Sequence, residues 1–302
     1  MSISLFNVKK WCRMLAGKSI LHVNQGLGRC FSTTDIRGYY NDLTEKVTRL
    51  PELLDNNELP YVEGERGEQI LFPVAVFQYG LGAYDLYLLE QDERYLKKFF
   101  QCVDWAIQNQ ESSGAWNNFF FIYPQTPYGA MCQGEGVSLL IRAYKQSGEP
   151  MYLSAAKKAL DFMLTPVTNG GTANETEERM VLLEYTHRPT VLNGWVFALF
   201  GLYDAILVCD SGIYREAFAK SLHTLIESLP DFDCDYWSIY STDGKIASPF
   251  YHDLHIAQMQ ALHEMTHDDL FLEYSERWMT YKKSFWKSKR AFIKKAFQKV
   301  RE

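Results

Sequence analysis

Four times along this 302-residue chain, a short polar turn separates two helical patterns and an aromatic opens the second. The turns are Gln91-Asp92-Glu93, Ser147-Gly148-Glu149-Pro150, Asp210-Ser211-Gly212 and His267-Asp268-Asp269, followed by Tyr95, Tyr152, Tyr214 and Phe271. Successive aromatics stand 57, 62 and 57 residues apart. A unit of about sixty residues fits a helix hairpin plus a long loop, and such units fold by burying one another's apolar faces.

Within each unit the two helices differ. The first is apolar nearly all round, as in PVAVFQYGLGAYDLYLL (73–89) and VLNGWVFALFGLYDAILV (191–208), whereas the second carries a polar face, as in YLSAAKKALDFML (152–164). A helix apolar on every side must be enclosed, and a one-sided helix can enclose it. We therefore expect an all-α fold, an α/α toroid of about four hairpins with first helices inside and second helices outside. The toroid is expected over 66–282, with 1–65 as an N-terminal extension packing on it and 283–302 as a basic amphipathic helix. Gly80-Leu81-Gly82 and Gly134-Glu135-Gly136 lie inside apolar helical patterns, so these glycines are read as helix-packing positions and not as phosphate loops.

The loops entering the first helices are long: 112–136, 165–190 and 230–255. Connectors of that length commonly carry function. The third contains Tyr236, Trp237, Ser238, Ile239 and Tyr240 in alternation and then Thr242-Asp243-Gly244, which predicts a short β-hairpin near 236–249. All three loops feed inner helices, so they should meet at one end of the ring.

Composition narrows the function. With 31 Lys and Arg against 37 Asp and Glu, the net charge is −6, which argues against a nucleic-acid partner because phosphates need a basic face. The six cysteines (Cys12, Cys30, Cys102, Cys132, Cys209, Cys234) show no paired or zinc-type spacing and are read as reduced thiols in a cytoplasmic protein. No apolar run approaches the length of a membrane helix. Residues 282–302 hold nine Lys or Arg and one Glu, a net charge of +8, with Phe285, Phe292, Ile293, Phe297 and Val300 on one helical side. That helix either lies on an anionic membrane surface, at the inner face of the membrane, or caps the toroid. We expect it to serve attachment and to add little to folding.

Among residues able to do chemistry, Tyr185, Tyr240 and Tyr251 stand in the convergent loops beside Glu184, Ser241 and His252. His252 and His255 are three apart at a helix start, but no third metal ligand follows from spacing, so a hydrogen-bonding role is expected and no metal. Glu135 and Glu184 sit near inner-helix starts and keep a carboxylate-pair hydrolase in play.

The ordered set Phe72-Pro73-Val74, Gln78-Tyr79-Gly80-Leu81, Gln133-Gly134, Arg142-Ala143-Tyr144, Glu184-Tyr185, Val191-Leu192-Asn193-Gly194, Leu202-Tyr203-Asp204, Tyr240 and Tyr251-His252-Asp253-Leu254-His255-Ile256 resembles the C-terminal domain of D-glucuronyl C5-epimerases. The resemblance covers roughly residues 66–282. It implies an α/α barrel and epimerisation of glucuronate to iduronate within a heparosan-type polysaccharide, with Tyr185, Tyr240 and Tyr251 on the family's catalytic tyrosines and no cofactor. The resemblance places Glu184 and His252 beside them, and the substrate-binding set expected here is Gln78, Tyr128, Gln133, Glu135, Glu184, Arg188, Asn193, His252 and His255. Two positions depart from the family: Asp243 stands where an Arg is common, and the first 60 residues show no counterpart of the β-rich N-terminal domains of animal members.

The chemistry suits these residue types. Epimerisation at C5 removes a proton next to a carboxylate and returns one to the opposite face, so two proton-transfer groups must flank the sugar. A tyrosine serving as base needs a neighbour that lowers its pKa from about 10, and the sugar carboxylate must be neutralised. With Asp243 in the Arg position, Arg188 is the expected cation and His252 the second candidate. The expectation is a uronate-polymer C5-epimerase. The alternatives are a uronate lyase or glycosidase on the same fold and a noncatalytic carbohydrate-binding protein of polysaccharide assembly. A homodimer is left open.

Overall fold

A computed structural model describes residues 23–49, 54–64 and 67–301. Cys12 and the first part of the N-terminal extension lie outside the described residues. The elements are a helical turn α1 (Glu45–Thr48), a two-residue pair β1 (Val62–Glu63) and β2 (Gln69–Ile70), and then four helix hairpins. The hairpins are α2 (Pro73–Glu90) with α3 (Glu93–Asn109), α4 (Ala130–Ser147) with α5 (Pro150–Leu164), α6 (Leu192–Val208) with α7 (Gly212–Ser228), and α8 (Pro249–Thr266) with α9 (Asp269–Lys283). Two short antiparallel pairs lie in the connecting loops: β3 (Ala173–Glu175) with β4 (Met180–Leu182), and β5 (Ile239–Ser241) with β6 (Lys245–Ile246). A last helix, α10, spans Phe285–Arg301.

The polar turns start the outer helices. Asp92, Ser211 and Asp268 each accept a hydrogen bond from a backbone N–H of the first turn that follows, which satisfies a donor the helix cannot satisfy itself. The inner helices α2, α4, α6 and α8 pack side by side in that order, each covered by its own outer helix. This is the expected α/α toroid, with the predicted β-hairpin in the third loop.

The closest approach is between α4 and α6. A side chain on Gly134 would meet the backbone of Ala198, and one on Gly201 would meet the backbone of Gly134. Both positions therefore have room for glycine only, and in α4 this matches the packing role expected of Gly134.

One end of the ring is closed by residues 36–47. Tyr39 N–H donates to Asp85 of α2 at 2.8 Å, Arg142 of α4 donates to Gly38 O at 2.9 Å, and the Tyr40 hydroxyl donates to Asp204 of α6 at 2.7 Å. Arg142 and Asp204 form an ion pair at 2.6 Å with both side chains fully buried. Tyr39 and Tyr40 pack on Phe200, and Tyr39 also stacks on Phe197.

The tail helix differs from expectation. Its Ala291 and Lys295 are buried, Lys295 Nζ donates to Ile246 O at 2.7 Å, and Gln298 bridges Ile246 N and Gly244 O at 3.1 and 3.0 Å. These bonds fasten α10 to the β5–β6 hairpin, so it contributes to the folded structure, because a hairpin of five strand residues cannot hold itself.

Candidate active site

The opposite end, where the inner helices begin, carries the convergent loops. Phe72, just before α2, approaches Phe119 of the first loop, with ring centres 6.5 Å apart, and Phe119 stacks on Tyr185 at 4.6 Å. Ala130 N–H at the start of α4 donates to Leu183 O at 2.8 Å. Val191, which precedes α6, bridges Ser241 of β5, and Thr242 N–H donates to Thr190 O at 3.0 Å. Ser248 caps α8 by accepting from Tyr251 N–H, and Pro249 pre-sets its first turn. Tyr185, Tyr240 and Tyr251 thus come from a loop, a strand and a first helical turn and meet on one rim.

Their side chains form a connected group. The Tyr240 and Tyr251 rings lie 4.8 Å apart and their hydroxyls interact. Tyr185 contacts the Glu184 carboxyl, and its phenol also senses Tyr251. Glu184 is tucked against Gly194, where any side chain would collide with its carboxyl. Burial pushes the Glu184 carboxyl up to about 7. Burial, and then the nearby Glu184 charge, raises all three tyrosines above the usual phenol value. The resting cluster therefore holds three protonated phenols around one carboxyl that ionises near neutrality.

The family model for the D-glucuronyl C5-epimerase C-terminus matches residues 103–280, the stretch that holds these residues. The chain belongs to this family. The D-glucuronyl C5-epimerase of Caenorhabditis elegans is 26% identical over 223 residues, covering 64% of this chain and 36% of that protein. An uncharacterized protein of Methanocaldococcus jannaschii is 27% identical over 210 residues, covering 63% of this chain and 68% of that protein. The chain thus spans about a third of the length of the nematode relative. Among solved structures, cellobiose 2-epimerase from Bacillus thermoamylovorans superposes with a TM-score of 0.55 at 12% identity, over 80% of this chain and 72% of that one, and shows the shared toroid fold.

The other expected site residues divide into two groups. Arg188 is at the rim, with its guanidinium 4.3 Å from the Tyr123 ring centre and 5.6 Å from that of Tyr185. Asn193 is buried beside Gly194 in the first turn of α6, and its Oδ1 has no partner. Gln78 and Glu135 lie in the ring interior, bonded to each other at 2.8 Å. Burial pushes Glu135 up to about 8, with Lys46 of α1 pulling the other way. Gln133 spans the backbone of Trp116 with both ends of its amide, holding the first loop. Tyr128 points outward, donating to Glu111 at 2.7 Å and packing on Phe162. Gln78, Gln133 and Tyr128 do not join the tyrosine cluster, whereas Glu135 is near enough for the Glu184 charge to push its carboxyl up further.

His252 cannot supply the cation expected of it. Ser238 N–H donates to its Nδ1 at 3.2 Å, which makes Nε2 the protonated nitrogen, and that donates to Trp278 O at 3.0 Å. The ring is also stacked on Trp237 at 3.6 Å, and burial lowers its pKa to about 3. His255 is buried and shares the Ser238 hydroxyl with His252, at 2.9 and 2.8 Å. Both imidazoles therefore support the wall behind Tyr251. Among the described residues, no three His, Cys, Asp or Glu side chains converge as a metal site. Asp243 sits in the hairpin turn, held by Ser241 and by Lys245 at 3.0 Å.

Sequence reasoning missed Phe119, which stacks on Tyr185, and Lys295, which reaches the hairpin beneath Tyr240. The signal for Lys295 was faint. With Ala291 and Gln298 it falls at i, i+4 and i+7, opposite the Phe stripe of α10, which marks a second packed face.

Proposed function

We propose that this protein is a C5-epimerase of glucuronate residues in a polysaccharide, with Tyr185 and Tyr251 as the two proton-transfer groups. The observation that carries the reading is the meeting of three tyrosines from separate elements around Glu184. In this reading Tyr185 takes the C5 proton while its own phenolic proton passes to the Glu184 carboxylate. Tyr251 returns a proton to the opposite face, with Tyr240 supporting it through their hydroxyl contact. Each turnover leaves a proton on Glu184 and removes one from Tyr251, and exchange with water restores both. This relay answers the raised phenol pKa values: no free phenolate is needed before the substrate arrives, because Glu184 receives the proton in the same step.

Enolate-like charge developing on the sugar carboxylate needs a cation. Arg188 on the Tyr185 side and Lys295 on the Tyr240 side are the groups we assign to this, in place of the Arg that is common where Asp243 stands. The carboxylate-pair hydrolase is the weaker reading, because Glu135 lies in the ring interior with its carboxyl bonded to Gln78, whereas Glu184 stands among the three tyrosines.

The test is incubation of a heparosan-type glucuronate polymer with the protein in D2O, followed by proton NMR. Deuterium at C5 with appearance of the inverted residue supports the epimerase. An unsaturated product means that the C4 substituent leaves after the same abstraction and the protein is a lyase. Binding without exchange means a carbohydrate-binding protein.

A further inference from the structure

Exposed large apolar side chains are concentrated on one helix. Of the eleven exposed among the described residues, five belong to α10: Phe285 at 60%, Trp286 at 79%, Phe292 at 45%, Ile293 at 55% and Phe297 at 64%. They lie on the side away from Ala291, Lys295 and Gln298, which fasten the helix to the β-hairpin. At about 1.5 Å per residue the helix runs roughly 25 Å, all of it along the surface. A monomer that shows this much aromatic surface normally covers it with something.

Charge identifies what covers it. Lys289 lies within the apolar stripe and Arg290 and Lys294 border one edge of it, in a segment of net charge +8. The ammonium of Lys289 lies 4.4 Å from the Phe285 ring centre and the guanidinium of Arg290 lies 3.9 Å from that of Tyr236. Both cationic heads sit over aromatic ring faces, so basic and aromatic groups share one surface. Tryptophan beside phenylalanine, flanked by lysines, suits the headgroup boundary. A second copy of this chain is a poor occupant, since a two-fold contact would bring one +8 helix onto another.

We propose that α10 is a bilayer-docking helix that lies flat on anionic membrane, inserting Phe285, Trp286, Phe292, Ile293 and Phe297 with its lysines at the headgroups. Its opposite face stays on the β-hairpin, so docking leaves Lys295 and Tyr240 in their present contacts.

Vesicle co-sedimentation of the full chain tests this. It should pellet with phosphatidylcholine vesicles containing about 30% phosphatidylglycerol at about 50 mM salt, stay in solution with phosphatidylcholine alone, and be released at about 0.5 M salt, where charge attraction is screened. The double variant Trp286→Ser, Phe297→Ser should lose at least tenfold in partitioning with an unchanged thermal midpoint, since both side chains are exposed. Lys289→Glu with Lys294→Glu should lose as much by charge alone. The proposal is overturned if the wild-type chain stays in the supernatant, or if either double variant still pellets like wild type. It is equally overturned if sedimentation equilibrium finds a dimer that Trp286→Ser, Phe297→Ser dissociates.

Discussion

Lys295 Nζ lies 5.7 Å from the centre of the Tyr240 ring and donates to Ile246 O at 2.7 Å, so one buried ammonium joins the tail helix to the strand of a candidate catalytic tyrosine. The tail of the chain is thereby part of the rim.

Lys295→Met keeps the aliphatic stem and removes the charge. We expect stability to fall by about 1 kcal/mol through the lost hydrogen bond and kcat to fall roughly 100-fold, the scale for losing one electrostatic stabiliser of a developing anion. Lys295→Arg should recover part of kcat. Steady-state kinetics beside a thermal melt separates the two roles: equal kcat in wild type and Lys295→Met would make the residue purely structural.

Tyr185→Phe and Tyr251→Phe retain ring packing and remove the exchangeable proton. Each should lower turnover by roughly 100-fold or more with polymer binding nearly unchanged. One of them should still exchange C5 hydrogen with D2O without inverting the sugar, because exchange from one face needs only the surviving group. Tyr240→Phe should lower turnover less. Near-wild-type turnover in all three would end the tyrosine mechanism.

The Glu184 carboxyl, raised to about 7 from 4.5 by burial, gives the pH profile a sign. As a proton acceptor it works only when ionised, so kcat should rise with pH through about 7, and Glu184→Gln should abolish that limb together with most of the rate. Stability has the opposite sign. The folded state keeps this proton while the unfolded chain has lost it, so the group's contribution to stability declines between about pH 4.5 and 7. Thermal midpoints of wild type and Glu184→Gln across that window should converge at low pH and separate as it rises.

Asp204→Ala would leave the Arg142 guanidinium buried without its counter-charge and the Tyr40 hydroxyl without its acceptor. The cost should be about 3–5 kcal/mol, which for a chain of this size is a fall of roughly 5–8 °C in midpoint. Calorimetry would read it. A fall under about 1 °C would mean that residues 36–47 do not brace the ring.

Much of the fold was legible because the signals were local and repeated. The spacing of Tyr95, Tyr152, Tyr214 and Phe271 counted the hairpins, and Asp92, Ser211 and Asp268 are caps whose chemistry acts within one turn. The rim was legible as well: long loops before like-oriented helices must emerge on one side, and Tyr185, Tyr240 and Tyr251 sit in them. What depends on distant partners was not. Nothing near His252 in the chain announces that Trp237, Ser238 and Trp278 enclose it, and so it read as a cation candidate. Lys295 looked like one more solvated lysine, and its acceptor is 49 residues away. Tyr128 stood in a convergent loop, but Glu111 draws it outward.

The closure of the far end by Tyr39, Tyr40, Arg142 and Asp204 has a consequence for any polymer that reaches the tyrosines. With that base sealed, a polymer is not threaded through the ring and approaches the tyrosines from the loop end.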